Sequence, residues 1–169
     1  TLKGMGDALE IGTFVENAVG ASASASLLLP AILFLVAIFL AFSTGTSWGT
    51  FAILVPIATA MFPGTDKLEM MIISVSAVLA GAVCGDHVSP ISDTTVMSSA
   101  GAQSNHINHV TTQMQYAAVV AIVCFVGYII AGVSQSWWIA LGSSLVILLV
   151  VLTVMKRMFA AREKKRVAA

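Results

Sequence analysis

The stretch CGDHVSPISDTTVMSSA, residues 84–100, stands out as a polar segment in an otherwise apolar sequence. It carries two carboxylates, Asp86 and Asp93, together with His87 and several hydroxyl side chains. It follows a long apolar run that is typical of a membrane-embedded helix. A charged side chain inside a bilayer costs about 2.5–3.5 kcal/mol on insertion scales, so it is retained where it faces a cavity, a partner or an ion. We therefore interpret this stretch as half of an ion site in a secondary transporter.

The composition is that of an integral membrane protein. Of the 169 residues, 58% are hydrophobic and 9% are charged, with a mean hydropathy of +0.96, whereas a soluble domain carries about 25% charged residues. Formal net charge is zero, but six of the eight Lys and Arg residues fall in residues 156–169. The positive-inside rule places this basic tail in the cytoplasm, and we expect no nucleic-acid partner. Cys84 and Cys124 form no CxxC pair, which favours two buried small side chains.

The apolar pattern predicts an all-α integral membrane fold with one transport domain. Residues 1–26 are interpreted as an interfacial or extramembrane lead-in, residues 27–155 as the transmembrane transport domain, and residues 156–169 as the cytoplasmic tail. The transport domain is predicted to contain a re-entrant helical hairpin (27–62), one discontinuous helix (68–100) and two ordinary spans (109–132 and 137–155). Transporters with inverted repeats need a second half, so we expect a missing N-terminal half or a complementary chain as a partner beside the lipid bilayer.

The hairpin prediction depends on helix length. Pro30 is interpreted as a helix start, where its missing N–H costs little. The two arms are then residues 30–42 and 51–62, separated by the polar sequence STGTSWGT at 43–50. Each arm would span roughly 18–20 Å at 1.5 Å per residue, less than a hydrocarbon core of about 30 Å. A single broken helix is the alternative, and the hairpin is favoured because residues 30–62 are too many for one ordinary span.

The discontinuous helix is predicted from residues that oppose helix continuation. Residues 68–83 predict a half helix, residues 84–90 the break, and residues 91–100 a second helical piece. Gly85 and Pro90 both disfavour a continuous helix across the break. Broken helices are tolerated in a bilayer where the freed backbone is buried in protein or lines a cavity, and in transporters such breaks coordinate ions.

The residue types at both polar stretches suit a Na⁺ site. Na⁺ is a hard cation that takes carboxylate, hydroxyl and carbonyl oxygens, by the same reasoning as Ca²⁺. Asp86 and Asp93 are seven residues apart and are predicted to bind Na⁺ or protons in competition, with His87 tuning or relaying. The neutral oxygens are predicted to come from Ser89, Ser92, Thr94, Thr95, Ser43, Thr44, Thr46, Ser47 and Thr50. For each hydroxyl the alternative is a hydrogen bond to its own helix backbone, and a structural role for either aspartate stays open.

The sequence NHINH places His106 and His109 on one helical face, which is compatible with a metal site. Zinc is disfavoured because no cysteine or acid is near in sequence, and a pH-responsive cluster at the cytoplasmic edge is the alternative. No P-loop, nucleophile triad or dinucleotide fingerprint appears in the sequence. We therefore expect a transporter driven by an ion gradient, with no enzymatic activity and no cofactor.

Three segments resemble a known family. FSTGTSWGTFAILVPIA (42–58), GDHVSPISDTTVMSSAGA (85–102) and HVTTQMQYA (109–117) are similar, in that order, to the C-terminal part of the NhaC-type Na⁺/H⁺ antiporters. The resemblance covers roughly residues 27–132, and Asp86, His87, Ser89 and Asp93 match the motif GDHxSPISDTT directly. It implies the ion transporter superfamily, with a re-entrant hairpin and a broken helix in each inverted repeat. It also implies cation/proton antiport in the inner membrane of a prokaryote.

The functional hypothesis is exchange of Na⁺ (or Li⁺) for H⁺ across the cell membrane. The resembling family also contains exchangers of organic acids such as malate and lactate, and proteins linked to drug export, so such an exchanger is the first alternative. No Lys or Arg lies between residues 68 and 155, which disfavours an anion site there. The second alternative is a non-transporting split or truncated subunit that needs a partner half. The sequence also leaves open that two copies of the chain form a homodimer.

Overall fold

The computed structural model describes residues 23–62 and 67–167, and in these two ranges the regular secondary structure consists of helices. Most of the predicted lead-in, residues 1–22, lies outside the described residues. The six helices are α1 (Ala23–Thr44), α2 (Ser47–Ala60), α3 (Leu68–Val88), α4 (Asp93–Gly101), α5 (His106–Ser134) and α6 (Trp137–Val167). Four of them are long and apolar enough to cross a bilayer: Leu27–Thr44, Leu68–Val88, His106–Ser134 and Trp137–Met158.

The first helix is longer than its sequence predicts. α1 has 22 residues and includes Pro30 in its interior, so the prediction that Pro30 starts a helix is wrong. The proline removes one backbone donor, a loss that neighbouring helices in membrane proteins commonly compensate. At 1.5 Å per residue α1 spans about 33 Å, so the prediction that both hairpin arms are too short to cross is wrong for this arm. α2, with 14 residues, spans about 21 Å.

Two glycines allow α1 and α3 to lie against each other. A Cβ atom on Gly81 would collide with the carbonyl oxygen of Phe34, and one on Gly85 with the carbonyl oxygen of Ile38. Gly81 faces Phe34, and Gly85, four residues later, faces Ile38, also four residues later, so α1 and α3 run parallel. Small residues at such a contact let two backbones approach closely, which is how membrane helices commonly associate. Phe34, at 1% exposed, and Ala37, at 0%, show that the core of the molecule lies along this contact.

The chain reverses direction between α1 and α2. The reversal takes two residues, 45–46, which we call the first interruption. Gly45, just before α2, packs beside Ile91, which lies beyond the C-terminal end of α3. At the other end of α2, only four residues separate Phe62 from Lys67, which immediately precedes α3. α2 therefore runs back along α3, and its buried residues Leu54 and Ala58 belong to the same apolar cluster as α1 and α3.

The third helix continues past the position predicted for its break. α3 runs through Cys84 and Gly85 to Val88, and the second interruption comprises residues 89–92. The prediction that the break begins at Cys84 is wrong because Gly85 is a packing residue against α1 and not a helix end. The 21 residues of α3 span about 31 Å, enough to cross a hydrocarbon core without α4.

The last two helices form an antiparallel pair at the edge of the molecule. α5 and α6 are joined by residues 135–136, and Gly127 of α5 packs against Ser144 of α6. α6 buries little of its apolar surface against the other helices: 6% of its candidate span is buried. It continues as helix into the basic segment that the sequence predicts as a tail.

Candidate cation site

The two interruptions lie side by side. The Ser89 hydroxyl, which is fully buried, donates a hydrogen bond to the Phe42 carbonyl at 2.7 Å, linking the start of the second interruption to the last turns of α1. A Cβ on Gly45 would lie 2.9 Å from a side-chain carbon of Ile91. Gly45 has φ +67°, a conformation that favours glycine. The fold thus brings two polar stretches that are distant in sequence into contact.

Asp86 is the buried carboxylate of this region. It lies in the last turn of α3, is 9% exposed, and its Oδ1 atom has no hydrogen-bond partner among the described residues. A buried carboxylate oxygen without a donor is costly unless it binds a proton or a cation. Thr50 is 1% exposed and lies near the start of α2, at the same end of α3 as Asp86. Its hydroxyl donates to the Thr46 carbonyl at 3.0 Å, which leaves the oxygen able to accept or coordinate.

Asp93 lies in a different environment from Asp86. It is exposed, in the first turn of α4, and its Oδ1 accepts a hydrogen bond from the Thr94 backbone N–H at 2.7 Å. Negative charge at a helix N-terminus is stabilised by the helix dipole, so Asp93 is placed to stabilise the start of α4. The two aspartates that are seven apart in sequence are therefore separated into one buried and one exposed group.

The hydroxyls in and just after the second interruption bond mostly to one another and to backbone. Ser92 is fully buried, and its hydroxyl lies 2.8 Å from that of the exposed Thr94. Thr95 is buried and donates to the backbone carbonyl of His87 at 3.3 Å, across the interruption. The His87 side chain itself is exposed. These bonds fix the path of the chain between α3 and α4.

The hydroxyls in and beside the first interruption either bond to backbone carbonyls or cap α2. Ser43 and Thr44 are exposed and donate back to carbonyls of α1, at 2.7 and 2.8 Å. Thr46 caps α2 by accepting a hydrogen bond from the Gly49 N–H at 3.4 Å. Ser47 is half-buried in the first turn of α2. Of the five hydroxyls predicted from this stretch, Thr50 alone is fully buried.

The histidines of NHINH hold the end of α4. His106 Nε2 lies 2.7 Å from the Pro90 carbonyl oxygen, and His106 Nδ1 lies 3.0 Å from the Ser99 hydroxyl. His109 Nε2 lies 3.2 Å from the hydroxyl of Ser98. Both ring nitrogens of His106 are thus engaged, and residues 23–62 and 67–167 contain no group of three or more His, Cys, Asp or Glu side chains placed to hold a metal ion.

Two features of this region have no counterpart in the sequence prediction. His106 contacts the second interruption directly, and Gln113 has a buried Oε1 atom without a hydrogen-bond partner among the described residues. The two residues are seven apart and so lie on one face of α5. Polar side chains that recur on one face of an otherwise apolar helix are the signal that could have identified them.

The family of the chain follows from a comparison with family models. The model of the Na⁺/H⁺ antiporter family matches residues 1–133, a range that includes both interruptions and ends before α6. The chain belongs to the Na⁺/H⁺ antiporter family. Together with the four apolar helices, this membership makes it a multi-pass membrane protein and a member of a transporter family.

One relative among the curated proteins extends the comparison. An uncharacterized protein of Haemophilus influenzae is 51% identical to this antiporter-family chain over 129 residues, which is 76% of the chain and 25% of the relative. The chain therefore spans about a quarter of the length of the curated relative that it matches. No solved structure matches it.

Proposed function

We propose that the chain forms part of a secondary active transporter that exchanges Na⁺ (or Li⁺) for H⁺, with both ions competing for Asp86. Family membership supports cation/proton antiport in general terms. The observation that carries the specific proposal is the buried, unpartnered Oδ1 atom of Asp86 beside the two interruptions. A carboxylate in this setting binds either a proton or a hard cation, because each removes the cost of leaving the oxygen bare.

The ends of two helices add to the attraction for a cation. α1 ends at Thr44 and α3 ends at Val88, and the hydrogen bond from Ser89 to Phe42 holds these C-terminal ends together. A helix C-terminus carries a partial negative charge, so two of them beside Asp86 favour a bound cation. Thr50, whose hydroxyl is buried near the start of α2, is proposed as a neutral ligand beside Asp86. Asp93 is assigned to the start of α4 and not to direct ion binding.

The arrangement of α1 and α2 supports the re-entrant hairpin. α1 runs parallel to α3 and α2 returns along it, so the pair forms a hairpin whose two open ends lie where α3 starts. Because α2 spans only about 21 Å, we propose that the hairpin is re-entrant through its second arm, although α1 is itself long enough to cross. The first interruption is then the tip of the hairpin and lies against the second interruption. We place the chain in a prokaryotic inner membrane with the basic segment after α6 in the cytoplasm, in accordance with the positive-inside rule.

The test is a cation-driven proton flux assay in everted membrane vesicles from a host without its own antiporters. The chain is expressed by itself and, in parallel, in place of the matching segment of the Haemophilus influenzae relative. Added Na⁺ or Li⁺ is expected to discharge a preformed pH gradient, and Asp86→Asn is expected to abolish the response. Losing one partner of a buried charge pair costs about 2–5 kcal/mol, so we expect the apparent Na⁺ affinity to fall at least roughly 30-fold.

Asp93→Asn is the matched control, because it makes the same chemical change at an exposed carboxylate in the first turn of α4. It is expected to leave Na⁺-dependent proton flux within about twofold of wild type, a difference of roughly 0.4 kcal/mol. Equal responses from wild type and Asp86→Asn would show that Asp86 is structural. A response to malate, lactate or a drug in the absence of any response to Na⁺ would instead identify the organic-substrate exchanger.

A further inference from the structure

The last helix, α6, lies at the edge of the molecule. In the part of the chain that the structure describes, α6 packs mainly against α5, and 6% of its candidate span is buried. It also lies beyond residues 1–133, the range that the antiporter-family model matches. Most of the surface of α6 is therefore apolar and faces away from the other helices, as expected of a helix that is surrounded by lipid.

This helix is long enough to reach from one surface of a bilayer to the other, including the headgroup layers. Its 31 residues extend over about 46 Å, compared with about 30 Å for the hydrocarbon core and about 40–45 Å with both headgroup layers. Trp137 and Trp138 are exposed at its start, with stacked rings whose centroids are 3.6 Å apart. Because tryptophans commonly lie at the membrane–water boundary, the other end of α6 is expected in the opposite headgroup layer.

The end of α6 that reaches this layer is strongly basic. Residues 156–169 contain six Lys and Arg residues and one Glu, a formal net charge of +5. Lys156 and Arg157 are exposed and lie about 28–30 Å along the helix axis from Trp137, at the depth of the lipid phosphates. The basic residues at 162–166 lie at about 37–44 Å, within a Debye length of that layer. Since the backbone stays helical to residue 167, α6 fixes the depth of each of these positions.

We propose that the basic end of α6, residues 156–166, is a binding surface for the headgroups of anionic phospholipids. A cation held near an anionic leaflet strengthens binding about fivefold, and clusters directly after a membrane span are typical of such surfaces. The helix holds Lys156 and Arg157 at the depth of the phosphates, where a soluble acidic protein or a nucleic acid does not reach. The inference does not depend on ion exchange at Asp86.

The test is lipid binding to the purified full chain in a neutral detergent, read by native mass spectrometry as phosphatidylglycerol is added. Phosphatidylcholine with the same acyl chains is the neutral reference, and glycerol phosphate is the soluble anion that carries a phosphate without an acyl chain. The chain is expected to bind phosphatidylglycerol at least roughly tenfold more tightly than phosphatidylcholine. This preference is expected to shrink as the ionic strength rises from about 0.05 M to about 0.5 M, because exposed charges are screened.

Two double variants test the order of depth along α6. Lys156→Gln with Arg157→Gln removes the inner pair and is expected to weaken phosphatidylglycerol binding roughly 25-fold, about fivefold for each cation. Lys164→Gln with Lys165→Gln removes an outer pair and is expected to weaken it less, roughly three- to tenfold, because these positions lie beyond the phosphates. Each variant keeps four of the six basic residues, so the bias toward a cytoplasmic end is retained.

Lys67→Gln is the matched control, because it neutralises an exposed lysine just before α3, outside the basic end of α6. It is expected to leave phosphatidylglycerol binding within about twofold of wild type. Equal affinity for the two lipids, or displacement of phosphatidylglycerol by an equal concentration of glycerol phosphate, would overturn the proposal. So would a loss from the inner pair no larger than that from Lys67→Gln. Equal losses from the inner and outer pairs would overturn the fixed depth of the basic residues.

Discussion

At the scale of single residues, Ser89 is the contact that joins the two interruptions. Ser89→Ala removes its hydrogen bond to the Phe42 carbonyl and leaves that carbonyl without this donor. Hydrogen bonds between membrane helices contribute roughly 0.6–1.7 kcal/mol, so we expect a loss of stability in that range. Thermal unfolding in detergent is the measurement, and a reduced apparent Na⁺ affinity is expected to accompany it because the site loses its alignment.

Ser43→Ala is the control for Ser89→Ala, since Ser43 is exposed and bonds only to a carbonyl of its own helix. It is expected to change stability by less than about 0.5 kcal/mol. Equal melting temperatures for the two variants would contradict the assignment of Ser89 as the link between the interruptions.

Individual residues also show how much of the candidate site can be predicted from the sequence. The polar residues of both stretches are visible in the sequence because they stand out from apolar surroundings. The distinction between a buried Asp86 and an exposed Asp93 is not visible, because it depends on where α3 ends and α4 begins. Similarly, the sequence does not distinguish Thr50 from Thr44. Thr50 is buried and Thr44 is exposed because each helix turns a different side toward its neighbours.

At the scale of helices, the close contact of α1 and α3 determines where the site can form. Gly85→Ala would place a methyl group against the Ile38 carbonyl, a backbone atom that cannot rotate away. Overpacking of this kind costs typically about 1–3 kcal/mol, and the two helices must separate to relieve it. We expect a correspondingly lower midpoint in an SDS or thermal unfolding titration, together with impaired ion binding one residue away at Asp86.

Gly142→Ala makes the same substitution on α6, where a Cβ would meet no atom within 4 Å. It is expected to be neutral or to stabilise the helix by up to about 1 kcal/mol, because alanine is the better helix former. Should Gly85→Ala prove as stable as Gly142→Ala, the close approach of α1 to α3 would be wrong.

Gly85 also explains why the sequence misplaces the break. A glycine next to a polar stretch is compatible with either a helix end or a close helix contact, and the residue itself does not distinguish them. Pro90 does lie in the observed interruption, because a proline cannot continue the hydrogen-bond ladder of α3. Pro30 shows the opposite outcome: seven residues of helix precede it in α1, where helix packing tolerates the lost donor.

At the scale of the whole molecule, the path of the chain predicts which loops share a side of the membrane. α5 and α6 are antiparallel and each exceeds a hydrocarbon core of about 30 Å, so Ser104, before α5, and Lys156, near the end of α6, lie on the same side. Ser136, between the two helices, lies on the other side. The excess of basic residues after α6 assigns the side of Lys156 to the cytoplasm.

Single cysteines at these three positions test the arrangement, in a background with Cys84→Ser and Cys124→Ser. A membrane-impermeant maleimide is expected to label Ser136→Cys in intact spheroplasts, and Ser104→Cys and Lys156→Cys in everted vesicles. Labelling of Ser104→Cys and Lys156→Cys from opposite sides would contradict the antiparallel pair itself. Labelling of all three from the reverse sides would keep the fold but invert its orientation, and Asp86 would then lie near the outer end of α3 instead of the cytoplasmic end.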